Sequence, residues 1–167
     1  MEKKYKLTDE TININGATLY RIEALKDFGE IKKGDKGGFI ESENNLAHEG
    51  DAWVSDDACV YDNARVYGSA CVCDNARVSD NACVYGSACV CGDAEISTDA
   101  DYIVFKDWWS SGRYFTWTRS NNMWSVGFFY CTGEELIKKA YQYSELSGRQ
   151  YERIVKYVEE IKKENGK

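Results

Sequence analysis

The sequence predicts a mainly β protein built on a short parallel β-helix of about three coils, flanked by an N-terminal β cap and a C-terminal α+β module. Three observations carry this reading. An alanine falls at every sixth residue from Ala52 to Ala100, and a valine or isoleucine sits two places after each of the first eight. The two positions that close each unit are Asp, Asn, Gly, Ser or Thr, which tolerate left-handed backbone or bond their own main chain. Val60 to Arg77 matches Val78 to Glu95 at thirteen of eighteen positions, so three six-residue units make one coil.

Within a unit the alanine and the branched residue are two apart, and on a strand they face the same side. Each unit is therefore one short strand followed by a sharp turn. A helix is excluded, because a six-residue period would precess around it. Such coils bury their apolar side only against one another, so the open ends need caps.

Residues 1–45 do not repeat and are expected to form the first cap. Tyr5-Lys6-Leu7, Thr11 to Ile14 and Thr18 to Ile22 read as short strands, with Asn15-Gly16 as a two-residue hairpin turn. Ile40 and Leu46 are six apart but two out of phase with Val54, which predicts an irregular corner over Ala47 to Gly50. Residues 46–100 form the β-helix. It starts at Ile40 if that irregular coil is included.

Residues 101–167 form the C-terminal module. Asp101 to Phe105, Arg113 to Arg119 and Met123 to Tyr130 are three aromatic-rich strands of an antiparallel meander. Thr132 with Glu135 is a capping box that opens a helix through about Tyr143. Ser147 with Gln150 repeats the pattern ahead of Tyr151, Ile154, Val155, Val158 and Ile161, which predicts a second helix.

On these residues the chain resembles the hexapeptide-repeat, left-handed parallel β-helix family, in which an aliphatic residue is followed by a small one four places later. Val54 with Ala58 through Ile96 with Ala100 meet that pattern eight times. The handedness is implied by the resemblance alone. The family includes acyltransferases, zinc carbonic anhydrases and non-catalytic proteins, so the fold does not choose a function. Over its whole length, from Leu19 to Leu25 through Gly37 to Ser42 and on to Thr118 to Trp124 and Thr132 to Leu136, the chain is also similar to uncharacterised hexapeptide proteins of phages and prophages. That resemblance implies action in the host cytoplasm.

The chain has 167 residues, 43% of them apolar, and a net charge of −7. The charge argues against direct nucleic-acid binding, which needs a basic face, and fits a protein partner with a basic surface. Seven cysteines without an apolar leader or a membrane-length apolar run suggest a reduced cytoplasmic chain. Free thiols are expected, and no cofactor.

His48 is the single histidine and the one candidate general base, with Glu43 and Glu49 near it; if the chain is an enzyme, acyl-CoA-dependent transfer is the expected class. No loop interrupts the repeats to hold an acceptor, so catalysis is not the favoured reading. Cys71, Cys73, Cys89 and Cys91 fall on one outer face, but side chains standing parallel on a sheet are expected to converge too poorly to hold a metal. Trp53, Cys71 and Cys89 in line, and Tyr67 stacked on Tyr85, define a face for a homo-oligomer, with a trimer expected. Trp108, Trp109, Arg113, Trp117, Arg119 and Trp124 are the candidate binding surface, because Trp and Arg dominate interface energetics. The favoured function is a non-catalytic interaction protein, with inhibition of a host anti-phage defence factor as the implied role; a nucleotide-signal sponge is the third reading.

Overall fold

The computed structural model describes residues 2–165; Met1, Gly166 and Lys167 lie outside the described residues. Strands β1 (Tyr5–Ile14) and β2 (Ala17–Ala24) form an antiparallel hairpin whose turn residues Asn15 and Gly16 both take positive φ, as a two-residue turn between twisted strands requires. The two strand segments expected before that turn are one strand, interrupted by a register shift between Leu7 and Thr11.

Strand β3 (Lys36–Ile40) joins cap to coils. It pairs antiparallel with β2 on one side and parallel with Cys59–Val60 on the other. The repeats then supply eight two-residue strands: β4 (Trp53–Val54), β5 (Cys59–Val60), β6 (Arg65–Val66), β7 (Cys71–Val72), β8 (Arg77–Val78), β9 (Cys83–Val84), β10 (Cys89–Val90) and β11 (Glu95–Ile96). They stack in parallel as β3-β5-β8-β11, β4-β7-β10 and β6-β9, giving a three-sided β-solenoid of about three turns. Alanines 52 to 94 and every repeat valine and isoleucine are buried in its core.

Partners in the regular coils are eighteen residues apart, as Val54 and Val72 are, whereas Ile40 and Leu46 pair with Val60 and Val66, twenty residues on. The two extra residues therefore lie in the corner between Leu46 and Val54, where the phase slip placed them.

The corners explain the turn composition. Gly50, Gly68 and Gly86 stack at one corner, Asp56, Asp74 and Gly92 at the second, and Asp62 and Asp80 at the third, all with φ between 55° and 76°. An L-residue there meets its own carbonyl, a strain that Gly avoids and Asp or Asn tolerates. Aspartate adds a bond that glycine lacks. The carboxylates of Asp56, Asp62 and Asp74 accept the main-chain N–H of Asp74 (3.3 Å), Asp80 (3.4 Å) and Gly92 (2.9 Å) in the coil above.

Both ends of the solenoid are closed by side chains. Where the strands meet the corners, the N–H groups of each coil donate to carbonyls of the next, as Trp53 does to Ala70 and Cys71 to Ala88. The first coil is thus left with an excess of free carbonyls and the last with an excess of free N–H groups. Lys4 Nζ donates to Ala52 O (2.7 Å) and Gly50 O (3.3 Å), and the Tyr5 hydroxyl to Leu46 O (2.7 Å). At the other end Asp99 Oδ1, Thr116 Oγ1 and Ser120 Oγ accept from the N–H of Cys83 (2.7 Å), Cys89 (2.9 Å) and Glu95 (2.8 Å).

The second cap belongs to an antiparallel sheet of four strands: β12 (Tyr102–Lys106), β13 (Tyr114–Thr118), β14 (Met123–Val126) and β15 (Phe129–Cys131). The segment Met123 to Tyr130, expected as one strand, is a hairpin that turns at Gly127, whose φ is 57°. Helices α1 (Gly133–Tyr143) and α2 (Glu145–Asn165) cover the far face of the sheet. Thr132 and Glu135 make the expected capping box. Helix α2 starts before the predicted Ser147. Ser144 leaves α1 in an extended conformation and its Oγ accepts the Ser147 N–H at 3.0 Å, so Ser144 takes the capping position.

Asp80 tests the corner rule, since its own carboxylate caps no coil above. Asp80→Gly should leave stability within about 0.5 kcal/mol of wild type, and Asp80→Val should lower it by about 1–2 kcal/mol, read by urea denaturation. Equal midpoints for the two variants would refute the rule.

Candidate binding site

A well-formed concavity lies in the C-terminal module and not on the solenoid. It is a cleft of about 430 Å³ between the sheet, the Asp107 to Arg113 loop, the C-terminal part of α1 and the start of α2. Val126, Leu136 and Tyr151 form an apolar floor, while Arg113, Lys139 and Tyr143 stand at its rim. The loop is shaped by Asp107. This buried carboxylate accepts bonds from Ser110 Oγ (2.8 Å), Ser110 N (3.3 Å) and Gly112 N (2.9 Å). Burial pushes its pKa up, but those donors together outweigh it and hold the carboxyl below its usual value.

With Asp107 satisfied inside its own loop, Arg113 and Lys139 have no ion-pair partner among the described residues. Lys139 Nζ instead sits 3.8 Å from the centroid of the Phe129 ring. The cleft therefore offers two cations over an apolar floor. Its volume is within the range of small-molecule sites.

Of the aromatics singled out from the sequence, Trp108 is 86% exposed and meets Trp109 edge to face at 6.4 Å. Trp109 is half-buried against Tyr151. Trp117 and Trp124 are only 4% and 1% exposed and belong to the core beneath α1 and α2, which corrects their expected place on a binding surface. Alternation on β13 and β14 turns both rings to the helix side, with Trp117 paired to Trp124 across the strands. Arg113 lines the cleft; Arg119 is exposed on the β13–β14 turn, outside its lining. Phe128, fully exposed, together with Phe129, Lys139 and Tyr143, completes the surface. Phe128 and Phe129 lie in the aromatic-rich segment the sequence marks, whereas Lys139 and Tyr143 were missed because they come from a helix face that only the fold brings to the hairpin.

His48 occupies the two-residue corner insertion. Its Nδ1 accepts the Lys4 N–H at 3.2 Å and its ring stacks on Tyr5 at 4.3 Å. The acceptor nitrogen is thus occupied by the cap, and Nε2 faces Glu43 at 3.5 Å. The cleft of the C-terminal module does not reach the imidazole.

The expected oligomer face is also divided. Trp53 is buried beneath Phe28 and Tyr5, Cys89 lies half-buried where the module packs on the solenoid, and Cys71 is half-buried one coil below it. Tyr67 and Tyr85 remain exposed and stacked, 5.4 Å apart and 9° from parallel.

The four thiols of the two Cys-Val-Cys units do converge, against expectation. Sγ atoms of Cys71, Cys73 and Cys89 lie within 4.8 Å of one another, Cys89 Sγ is 3.3 Å from Cys91 Sγ, and Cys73 and Cys91 form a disulfide in place of free thiols. Side chains on a strand lean along it, so the two cysteines flanking an inward valine can meet over it. The Cys71 thiol beside it lowers Cys89 to about 7, while the neighbouring Cys89 and burial raise Cys71.

The geometry is that of a capped β-solenoid protein. A family model described as the YdcK Beta solenoid repeat matches residues 58–74, 70–86 and 76–92. The likeness covers the regular coils and stops short of both caps. No curated protein matches the chain. No described helix is long and apolar enough to cross a membrane.

The buried Lys4 makes the first cap sensitive to pH. Burial lowers its pKa from 10.5 to about 8, with Asp51 opposing and Lys26 assisting. Between pH 8 and 10.5 the unfolded chain holds a proton that the folded chain has released, so Lys4 makes stability rise with pH across that window. Urea denaturation should show this rise, at most about 1.4 kcal/mol per pH unit, in wild type relative to Lys4→Met. Parallel pH profiles for the two proteins would contradict a lowered Lys4.

Proposed function

We propose that the protein is a non-catalytic binding protein, a rigid solenoid that presents the aromatic and cationic surface of its C-terminal module to a protein partner. The single observation behind this reading is the cleft with Arg113 and Lys139 at its rim, bordered by exposed Trp108, Phe128 and Tyr143. Exposed aromatics beside unpaired cations match the composition of interface anchors. The unbroken repeats and the engagement of His48 by Lys4 support binding over acyl transfer. A phage origin, the left-handed hexapeptide coil and a host defence factor as partner are what the resemblance adds. The stacked Tyr67 and Tyr85 support self-association, with a trimer as the expected state.

A second reading is favoured by the same two cations: a small anionic, aromatic ligand such as a nucleotide would seat its ring on the apolar floor and its charge at Arg113 and Lys139.

Affinity capture from a bacterial lysate should return a specific protein with the wild-type chain and lose it with Trp108→Ser/Phe128→Ser, a change at exposed positions that leaves the melting temperature unaltered. Identical capture by both would sink the proposal. Mass spectrometry of the denatured sample reads the second reading, which predicts a released anion absent from Arg113→Ala/Lys139→Ala. Light scattering on the same preparation gives the oligomer mass.

A further inference from the structure

The four cysteines beneath β14 are unused by the binding surface. We propose that Cys71, Cys73, Cys89 and Cys91, once the Cys73–Cys91 disulfide is reduced, hold one thiophilic divalent cation of the zinc class as a tetrathiolate. Five of the six sulfur pairs are already close: Cys71, Cys73 and Cys89 lie mutually within 4.8 Å, Cys89 and Cys91 at 3.3 Å, and Cys73 is bonded to Cys91. A tetrahedral ion with bonds of about 2.3 Å asks for sulfurs about 3.8 Å apart, so small rotations about the Cα–Cβ bonds suffice after reduction.

The supporting framework is rigid. Cys71 and Cys89 are register partners on β7 and β10, and Cys73 and Cys91 follow them by two residues with Cα atoms 4.7 Å apart. From above, the Ser125 hydroxyl reaches Cys91 Sγ at 3.7 Å, and Thr116 fixes the Cys89 main chain. A donor to a ligating sulfur is the kind of outer contact that orients thiolates at metal centres. Asp74 also lies within reach of Cys73 and Cys91, but one of its oxygens already accepts the Gly92 N–H at the corner, which leaves the sulfurs as the principal donors.

The step is balanced as follows. A dithiol transfers two electrons and two protons to the Cys73–Cys91 bond and becomes a cyclic disulfide. The cation then displaces the four thiol protons into solvent.

The test uses the full chain, reduced with dithiothreitol and desalted under anaerobic conditions, and titrated with Co²⁺. The expected result is saturation at one equivalent, with thiolate-to-cobalt charge-transfer and tetrahedral d–d bands that Zn²⁺ abolishes. Cys71→Ser and Cys89→Ser should each lose those bands or weaken binding at least tenfold, whereas Cys83→Ser, on a different face, keeps them. The unreduced chain should take up no metal. Absence of the bands in reduced wild-type protein that retains its native circular dichroism, or equal uptake by the Cys71→Ser and Cys89→Ser chains, overturns the proposal.

Discussion

A parallel stack of coils has a direction, and the rest of the molecule follows from it. Outside the strand ladders the N–H groups of each coil donate to carbonyls of the next, so one end of the solenoid is rich in bare carbonyls and the other in bare N–H groups. Leaving such groups buried without partners costs about 1–3 kcal/mol each. The chain answers each end with the opposite chemistry. Lys4, Tyr5 and the amide of Asn45 bring donors to the first coil and its neighbour, and Asp99, Thr116 and Ser120 bring acceptors to the last. The same caps remove the open strand edges that would otherwise pair with another copy.

The two caps also decide what chemistry remains available. Closing the first coil engages His48 and Lys4 and covers Trp53, so the irregular corner becomes structural. Closing the last coil brings β13 and β14 down on the Cys-Val-Cys face, which encloses the sulfurs. The module's outer side carries the cleft. Its aromatics divide by position: Phe115, Trp117 and Trp124 alternate inward on β13 and β14 and pack under the helices, while Trp108 on a loop, Phe128 on a hairpin turn and Tyr143 at the end of α1 face solvent.

How much of this was legible in the sequence depends on how local the cause is. The coils, the corner residues, the Asn15-Gly16 hairpin and the Thr132 capping box each rest on a few neighbouring residues with one low-energy arrangement, and their spacing announces them. The break at Gly127 was hidden inside an apolar run, where periodicity cannot tell one strand from a tight hairpin. Ser144 and Ser147 are both sound caps, and the choice is made by where α1 ends. The sulfur cluster and the cleft were beyond reach for a different reason. The first depends on side-chain rotation about a common point. The second joins residues from Asp107 to Tyr151 that touch only after the helices dock.

Both caps grip main-chain atoms that every coil possesses, and neither reads the identity of the repeat beneath it at those bonds. Coil number is therefore a free variable of the architecture. A duplicated eighteen-residue unit, such as the near-copy already present between Val60 and Glu95, would move the two ends apart by one strand spacing and return the same polar groups to each. The solenoid works as a spacer graduated in whole coils, and the separation between its first cap and its aromatic module is a quantity that unequal recombination can adjust without redesigning either.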